Sequence, residues 1–196
     1  MVEGGGSKNF SNVKKMIFRN PELAHSILEK LSSAIAVYLS AKIEAGADAV
    51  QIFDTWGGIL SQNDYKEFSL QYVEKIISEI NRKNEPVIYF PKGVHSNLES
   101  LSMTGADVIG LDWTMDLGKV REKIGSKVSL QGNLDPTVLY ADKEVIEKRA
   151  FEIMNSYGKG TGHIFNLGHG ILPDIPPENA KVLVNYIKNN SARFHQ

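Results

Sequence analysis

Five short apolar runs alternate with longer helical patterns along the chain. The runs are nearly continuous in β-branched and other apolar residues, as is typical of strands buried on both faces of a parallel sheet. They cover residues 49–53, 87–90, 107–111, 128–131 and 163–166. Five strand–helix units in succession predict an α/β fold, either a barrel or a doubly wound sheet.

The first predicted helix has recognisable ends. Asn20 is a typical N-cap, and Pro21 suits the first helical position because its missing N–H has no partner there in any case. Gly46 predicts the end of this helix. The apolar positions that repeat at helical spacing, and that we expect to face the core, are Leu23, Ile27, Leu31, Tyr38 and Ile43.

Similar patterns predict the remaining helices. The second begins near Gln62 and carries the apolar positions Tyr65, Phe68, Tyr72, Ile76 and Ile80. Further helices are predicted at about 96–104, 116–124, 142–157 and 177–189, and two prolines introduce the last of them. The segment MVEGGGS (1–7) has the pattern of a strand end that enters a glycine-rich loop.

The number of units bears on the architecture. A complete (β/α)8 barrel takes about 250 residues and eight strands, whereas this chain has 196 residues and five units. No linker or low-complexity segment divides it, so residues 1–196 are predicted to be a single domain. The expectation is an open sheet, or the C-terminal portion of a barrel that belongs to a longer protein.

Composition excludes several classes of function. Lys plus Arg total 22 and Asp plus Glu total 23, so no basic field is available for a nucleic acid. The absence of cysteine excludes disulfides, Cys-ligated zinc, iron–sulfur clusters and thiol nucleophiles. No apolar run approaches the roughly 20 residues that span a bilayer, and no signal peptide is evident. We therefore expect a cytoplasmic protein that binds neither nucleic acid nor membrane.

Polar residues follow all five apolar runs at the same end. They lie within residues 54–58, 91–93, 112–113, 131–136 and 166–170. The carboxyl ends of parallel strands form one rim of a barrel, or one crevice of an open sheet, and ligands bind there. The convergence of five such segments predicts a binding site at this rim.

Three of these segments have alternative interpretations. Asp54 and Thr55 either cap the turn that follows the strand or contact a ligand. Lys92 is a solvated loop lysine, an anion-binding group or a desolvated Schiff-base amine. Asp112 either bonds loop amides or belongs to the site.

The other two segments allow the same choice. Asn133 and Asp135 suit turn chemistry best. His169 lies between two glycines, so its imidazole can stand clear of the backbone and contact a ligand, unless it is a structural histidine. Asp54, Asp112, Asp135 and His169 could in principle hold a hard cation, but no H-x-H or H-E-x-x-H spacing supports one, and no metal is expected. The histidines expected to be inert or without an evident partner are His25, His95, His163 and His195.

Taken together, the rim motifs resemble the uroporphyrinogen decarboxylase family. The matching stretches are MVEGGGS (1–7), GADAVQIFDTWGG (46–58), IYFPKG (88–93), GLDW (110–113), LQGNLDP (130–136) and NLGHGILPDIPPEN (166–179). They occur in family order and correspond to about the C-terminal three-fifths of the family's barrel. The related corrinoid-dependent methyltransferases use Cys and His zinc ligands, which a chain without cysteine cannot supply in full.

The resemblance implies a (β/α)8 barrel without a cofactor that works as a homodimer. The family removes CO2 from the four acetate side chains of uroporphyrinogen III to give coproporphyrinogen III. Thr55 matches the family's substrate-contacting Ser/Thr, and His169 matches its substrate-binding histidine in NLGHG. The family's arginine-rich motif and its pyrrole-binding aspartate would precede Met1, so no catalytic residue is assigned to this chain.

Two hypotheses follow. In the first, the chain is part of a decarboxylase, is inactive alone and acts when the N-terminal strands are supplied. In the second, it is a non-catalytic truncated product or a weak tetrapyrrole-binding fragment. Under either hypothesis, five strands would leave two sheet edges unpaired and the apolar barrel interior exposed.

Overall fold

A computed structural model describes residues 2–194, and its centre is a sheet of five parallel strands. The strands are β1 (Val50–Asp54), β2 (Val87–Pro91), β3 (Val108–Gly110), β4 (Ser129–Leu134) and β5 (His163–Leu167). They pair strictly in chain order, β1 to β5. The α/β prediction is confirmed, and the order is that of a barrel because a doubly wound sheet reverses its strand order.

The sheet is curved but does not close. The amide of Gln131 on β4 donates to Gln51 Oε1 on β1 at 3.3 Å, across the concave face of the sheet. Within residues 2–194, β1 pairs only with β2 and β5 only with β4. The concave face is uncovered at its two ends, where Phe53 is 68% exposed and Ile164 is 42% exposed. The structure is therefore an incomplete barrel, as predicted.

Residues 2–194 contain eight α-helices, which leave the concave face of the sheet uncovered. They are α1 (Ser11–Arg19), α2 (Pro21–Glu44), α3 (Gln62–Tyr65), α4 (Gln71–Glu79), α5 (Leu98–Leu101), α6 (Leu117–Ile124), α7 (Lys143–Tyr157) and α8 (Pro177–Asn190). One π-helical turn (Lys66–Leu70) joins α3 to α4, so the predicted second helix is present with an irregular centre. Short 3₁₀ turns cover Gly57–Ile59, Pro136–Tyr140 and Ser191–Phe194. No helix in this part of the chain is long and apolar enough to cross a membrane.

The ends of α2 form as the sequence predicts. Asn20 Oδ1 accepts a hydrogen bond from the N–H of Leu23 at 3.2 Å, and Pro21 begins the helix. Gly46 adopts a positive φ of 99° just beyond the end of the helix, a conformation that glycine tolerates best. The capping chemistry that limits a helix is local, and this is why the sequence predicts both ends.

The buried face of α2 differs in part from the predicted one, because the predicted core positions Ile27, Leu31 and Ile43 are only half-buried. Leu23 and Tyr38 are exposed, at 48% and 59%. The buried positions are instead Ala24, Ser32, Ala36 and Leu39. Three of these four side chains are small and allow the helices behind the sheet to approach closely, so the largest apolar residues do not mark the packed face.

The first 20 residues also differ from the prediction. Residues 2–7 form a turn, a bend and irregular backbone rather than the end of a strand, and Met1 lies outside the described residues. Helix α1 follows, although the apolar pattern did not predict it. The Glu3 carboxylate accepts from the N–H of Val13 at 2.9 Å, and Ser7 Oγ accepts from the N–H of Phe10 at the same distance. These bonds satisfy N–H groups at the start of a helix, which have no intrahelical partner.

Most of the apolar core lies between the convex face of the sheet and the helices. The strands contribute to it the buried residues Val50, Ile52, Val87, Tyr89, Ile109 and Leu130. A second cluster joins the end of β4 to α7 and α8, and its members are Leu134, Leu139, Ile146, Ala150, Ile175 and Leu183. Helix packing thus fills the convex side and leaves the concave side available for a ligand.

Candidate functional site

A cavity of about 550 Å³ opens on the concave face at the carboxyl ends of the strands. Its polar lining residues are Gln51, Thr55, Gln131, Asn166 and His169. Its apolar lining residues are Phe53, Phe90, Leu111, Leu167 and Ile171, and Gly170 completes the wall. An apolar surface with a few convergent polar groups is typical of small-molecule sites.

Thr55 and His169 reach this cavity from opposite edges of the sheet. Thr55 follows β1 and His169 follows β5, the two edge strands, and both side chains line the same space. The hydroxyl and the imidazole can both donate hydrogen bonds to carboxylate oxygens. The curvature of the sheet therefore brings the two predicted residues to one site, and their role in substrate binding stays a prediction.

Alternation along the strands explains the remaining lining residues. Gln51 and Phe53 precede Thr55 by four and two positions, so all three face the concave side. Gln131 and Asn166 lie on the same side of β4 and β5. The polar segments after the predicted strands include Gln131 and Asn166, whereas Gln51 and Phe53 lie within β1 and were not predicted as site residues. The period of two along each strand is the signal that could have identified them.

Asp112 is buried at the base of the rim, with 2% of its surface exposed. Its carboxylate accepts from the N–H of Gly93 at 2.7 Å and from the N–H of Thr114 at 2.9 Å, and it also accepts from the Thr114 hydroxyl. Burial by itself would raise the pKa of Asp112, but these bonds and the nearby His95 imidazole lower the pKa below its usual value. The interpretation of Asp112 as a hydrogen-bond acceptor for loop amides is confirmed.

Asn133 and Asp135 also serve the rim loops. The buried Asn133 amide donates to the carbonyl oxygens of Asp112 and Met115 at 2.8 and 2.7 Å. The Asp135 carboxylate accepts from the N–H of Thr137 at 2.9 Å and from its hydroxyl at 2.7 Å. The predicted turn chemistry is confirmed for Asp135, whereas Asn133 lies within β4 and holds the loop after β3 instead of forming a turn of its own.

Asp54 lies on the opposite side of β1 from Thr55. Its carboxylate accepts from the Ser69 hydroxyl at 2.5 Å and from the Tyr89 hydroxyl at 3.3 Å. The hydroxyls of Tyr65 and Tyr89 are 2.5 Å apart. Burial raises the pKa of Asp54 above its ordinary value although these hydrogen bonds oppose the rise. Asp54 is therefore part of a polar network behind the sheet and does not line the cavity.

Replacing Asp54 with asparagine is expected to change how stability depends on pH. Because the pKa of Asp54 is raised from 3.8, the folded chain holds this proton to a higher pH than the unfolded chain. The protonated Asp54 carboxyl therefore stabilises the folded chain. This contribution is fully present below pH 3.8, and it is lost as the pH rises through the raised pKa of the folded state. The free energy of unfolding of Asp54→Asn relative to the wild type should thus increase as the pH rises above 3.8.

Denaturant unfolding at several pH values measures this difference. Tyr89→Phe is the comparison because it keeps the Asp54 carboxyl and removes one of the hydrogen bonds that lower its pKa, so the pH dependence should persist and move to higher pH. A difference between Asp54→Asn and the wild type that stays constant with pH would show that the carboxyl is not perturbed by burial.

Comparisons with known proteins give the family. The family model for uroporphyrinogen decarboxylase matches residues 1–190. The chain belongs to the uroporphyrinogen decarboxylase family. A relative from Pseudomonas savastanoi named uroporphyrinogen decarboxylase is 52% identical, and one from Actinobacillus pleuropneumoniae with the same name is 48% identical. Each alignment covers all of this chain, which spans 56% of the length of either relative.

A solved structure shows the same fold. A methyltransferase from Methanosarcina mazei superposes with a TM-score of 0.80 over 92% of this chain and 53% of its own chain. The sequence identity is 24%, so this similarity concerns the fold alone. It agrees with the barrel-like order of the five strands.

Three of the five histidines in the sequence of this chain lie away from the cavity. On α2, His25 Nδ1 is 2.7 Å from the Tyr72 hydroxyl. His95 Nε2 is 2.9 Å from the Thr114 hydroxyl, and His163 Nε2 is 2.9 Å from the carbonyl oxygen of Gly132. His195 lies outside the described residues. Within residues 2–194, no three Asp, Glu or His side chains are grouped closely enough to hold a metal ion.

The arginines also lie outside the cavity lining. Arg82 lies in the loop after α4. It donates to the carbonyl oxygens of Glu85 and Gly105 and pairs with the Asp107 carboxylate, at the ends of β2 and β3 opposite the cavity. The other arginines of the sequence are Arg19, Arg121, Arg149 and Arg193. None of the five is among the residues that line the cavity in the described part of the chain.

Proposed function

We propose that the chain forms part of a uroporphyrinogen decarboxylase and supplies one wall of its substrate cavity. The observation that carries this proposal is the shared cavity of Thr55 and His169 in a chain of this family. The apolar side chains suit the pyrrole rings of a tetrapyrrole, and the hydroxyl and imidazole suit its carboxylates. The substrate would be uroporphyrinogen III and the product coproporphyrinogen III.

The chemistry requires little from this wall beyond binding and orientation. Protonation of a pyrrole carbon gives a cation that accepts the electron pair left when the bond to CO2 breaks. The substrate thus supplies its own electron sink, and the protein supplies a proton, a fixed position and compensation of charge. Thr55 and His169 would hold carboxylates while these steps occur.

Decarboxylation would require further strands that close the barrel. The concave face is open at Phe53 and Ile164, so water reaches the side chains that a ligand would contact. No arginine lines the cavity among the described residues, whereas a polycarboxylate is bound best by cations. We therefore propose that the chain is inactive alone. From the family resemblance we also propose that the closed enzyme is a homodimer in the cytoplasm.

Co-expression tests this function. The chain would be produced with the part of the Pseudomonas savastanoi relative that it does not match, and conversion of uroporphyrinogen III to coproporphyrinogen III would be followed by chromatography. We expect turnover by the pair and none by either part alone. A pair that assembles without turnover, with a chain that still binds uroporphyrin, would favour the non-catalytic tetrapyrrole binder.

Substitutions in the active pair test the two site residues. Thr55→Ala and His169→Asn should each raise KM about 10-fold, since a hydrogen bond to a charged group contributes about 1.5 kcal/mol. Thr161→Ala is a matched control because Thr161 is exposed and lies outside the cavity lining. Unchanged KM and kcat in both site variants would disprove the assignment.

A further inference from the structure

Trp113 contacts both His169 and Lys92 at the rim of the cavity. Its ring meets the His169 imidazole edge to face, with centroids 6.2 Å apart and planes at 79°. The Lys92 ammonium lies 5.1 Å from the centroid of the indole. Edge-to-face ring pairs and ammonium–indole contacts are both attractive, because the faces of aromatic rings are electron-rich. Trp113 thus links a cavity residue to a cation that does not itself line the cavity.

The backbone sets the distance between Trp113 and His169. Gly168, which precedes His169, lies so close to the β3 loop that a Cβ on it would be 2.4 Å from the Trp113 backbone nitrogen. The N–H of Gly168 also donates to the carbonyl oxygen of Leu134 at 2.7 Å. The segment that carries His169 is therefore pressed against the segment that carries Trp113.

A second contact sets the position of Lys92. The Asp112 carboxylate accepts from the N–H of Gly93 at 2.7 Å. Asp112 precedes Trp113 and Gly93 follows Lys92, so this bond joins the two segments next to the residues concerned. Three rim segments, after β2, β3 and β5, therefore meet at the indole.

We propose that Trp113 is a positioning residue for His169 and that Lys92 holds the indole in place. The proposal rests on the proposed function, in which His169 binds a substrate carboxylate. His169 is exposed and lies between two glycines, so few neighbours restrict its imidazole. Contact with Trp113 orders the ring before the substrate arrives, and an ordered group loses less conformational entropy on binding. Trp113 therefore acts on substrate affinity.

NMR spectroscopy of the ¹⁵N-labelled chain tests the contact itself. The sequence has two tryptophans, Trp56 and Trp113, so two indole N–H signals are expected. Trp56→Phe assigns them by removing one signal. His169→Asn should shift the Trp113 signal, because the imidazole ring current is lost. The Trp56 signal should stay in place, because Trp56 packs against Phe10, with centroids 4.8 Å apart.

Kinetics of the co-expressed pair test the positioning role. Trp113→Leu should raise KM about fivefold and change kcat less than twofold, because a contact that orders a binding group alters binding more than chemistry. Trp113→Phe keeps an aromatic ring and should restore KM to near the wild-type value. The double variant of Trp113→Leu with His169→Asn should resemble His169→Asn alone, since Trp113 acts through His169. Lys92→Met should raise KM in the same direction, and it provides the test if Trp113→Leu does not fold.

Each outcome supports or overturns the proposal. A Trp113 signal unmoved by His169→Asn overturns it, whatever the kinetics show. Additive effects of Trp113→Leu and His169→Asn on KM also overturn it, because Trp113 would then act on the substrate by another route. A wild-type pair without turnover counts against the proposed function, and the indole signals then decide the Trp113–His169 contact alone.

Discussion

Replacing Asp112 with alanine is expected to lower the free energy of unfolding by about 3 kcal/mol, because buried donors lose the acceptor that satisfies them. The carboxylate accepts from Gly93 and from both the N–H and the hydroxyl of Thr114. Its 2% exposure leaves little room for water to replace it. The loops after β2 and β3 should separate as a result. Urea denaturation followed by circular dichroism measures the loss.

A control variant, Asp48→Ala, and the pH dependence of unfolding both test the role of Asp112. Asp48 is exposed, and Asp48→Ala should change the free energy of unfolding by less than about 0.5 kcal/mol. The pKa of Asp112 is lowered from 3.8, so its stabilising contribution is present above that value and is lost as the pH falls through the lowered pKa. The difference between the wild type and Asp112→Ala should therefore narrow in acid. A loss below about 1 kcal/mol at neutral pH would show that the bonds to Asp112 are dispensable.

Replacing Gly168 with alanine is expected to have the second large effect. The new methyl group would lie 2.4 Å from the Trp113 nitrogen and 3.0 Å from the Asp112 carbonyl carbon. Both atoms belong to the backbone and cannot rotate away, so one of the two rim loops must move. We expect the free energy of unfolding to fall by about 2 kcal/mol, within the range for overpacking a close contact. Moving the loop would also displace His169 from the cavity and weaken substrate binding.

Gly170→Ala is the matched control for Gly168→Ala. Gly170 lies on the other side of His169, and a Cβ there meets no atom within 4 Å. Its free energy of unfolding should stay within about 0.5 kcal/mol of the wild type. Both variants add the same methyl group next to the same histidine, so a difference between them reports the backbone contact. Equal stability of the two variants would disprove the close approach of the β5 and β3 loops.

The exposed concave face and the two open sheet edges favour association with a further polypeptide. Phe53 at 68% exposure and Ile164 at 42% are apolar residues on strands at the two open edges of the sheet. Edge strands with unpaired N–H and C=O groups readily pair with another chain. The strands supplied in the co-expression experiment would cover both features at once. Gain of solubility on co-expression would accordingly accompany gain of activity.

The bounds of the strands and of helix α2 show where local sequence patterns predict the structure correctly. The apolar runs predicted the five strands to within three residues at each end, and the predicted cap Asn20 lies where α2 begins. β4 shows the largest difference, since it extends to Leu134 through the polar residue Asn133. Hydrogen-bond pairing with β5 continues past the apolar run, and pairing depends on the neighbouring strand rather than on local hydrophobicity.

The packed face of α2 shows where local patterns fail. Helical spacing marked Leu23 and Tyr38 for the core, and both are exposed. Burial of Ala24 and Ala36 instead depends on how closely neighbouring helices approach, which their own spacing does not encode. Asp54 and Thr55 illustrate the same limit, because adjacent residues of a strand point to opposite faces. One joins a network behind the sheet and the other lines the cavity.

By itself the sequence determined the α/β class, the order of the elements, the rim on which polar residues gather, and the family to which the chain is similar. These features depend on periodicity, on caps and on short motifs, all of which act over a few residues. Only the tertiary structure decided that Thr55 and His169, which are 114 positions apart, line one cavity. It also decided that Trp113 lies between Lys92 and His169. Both arrangements depend on the curvature of the sheet and on the backbone approach at Gly168, which no local pattern specifies.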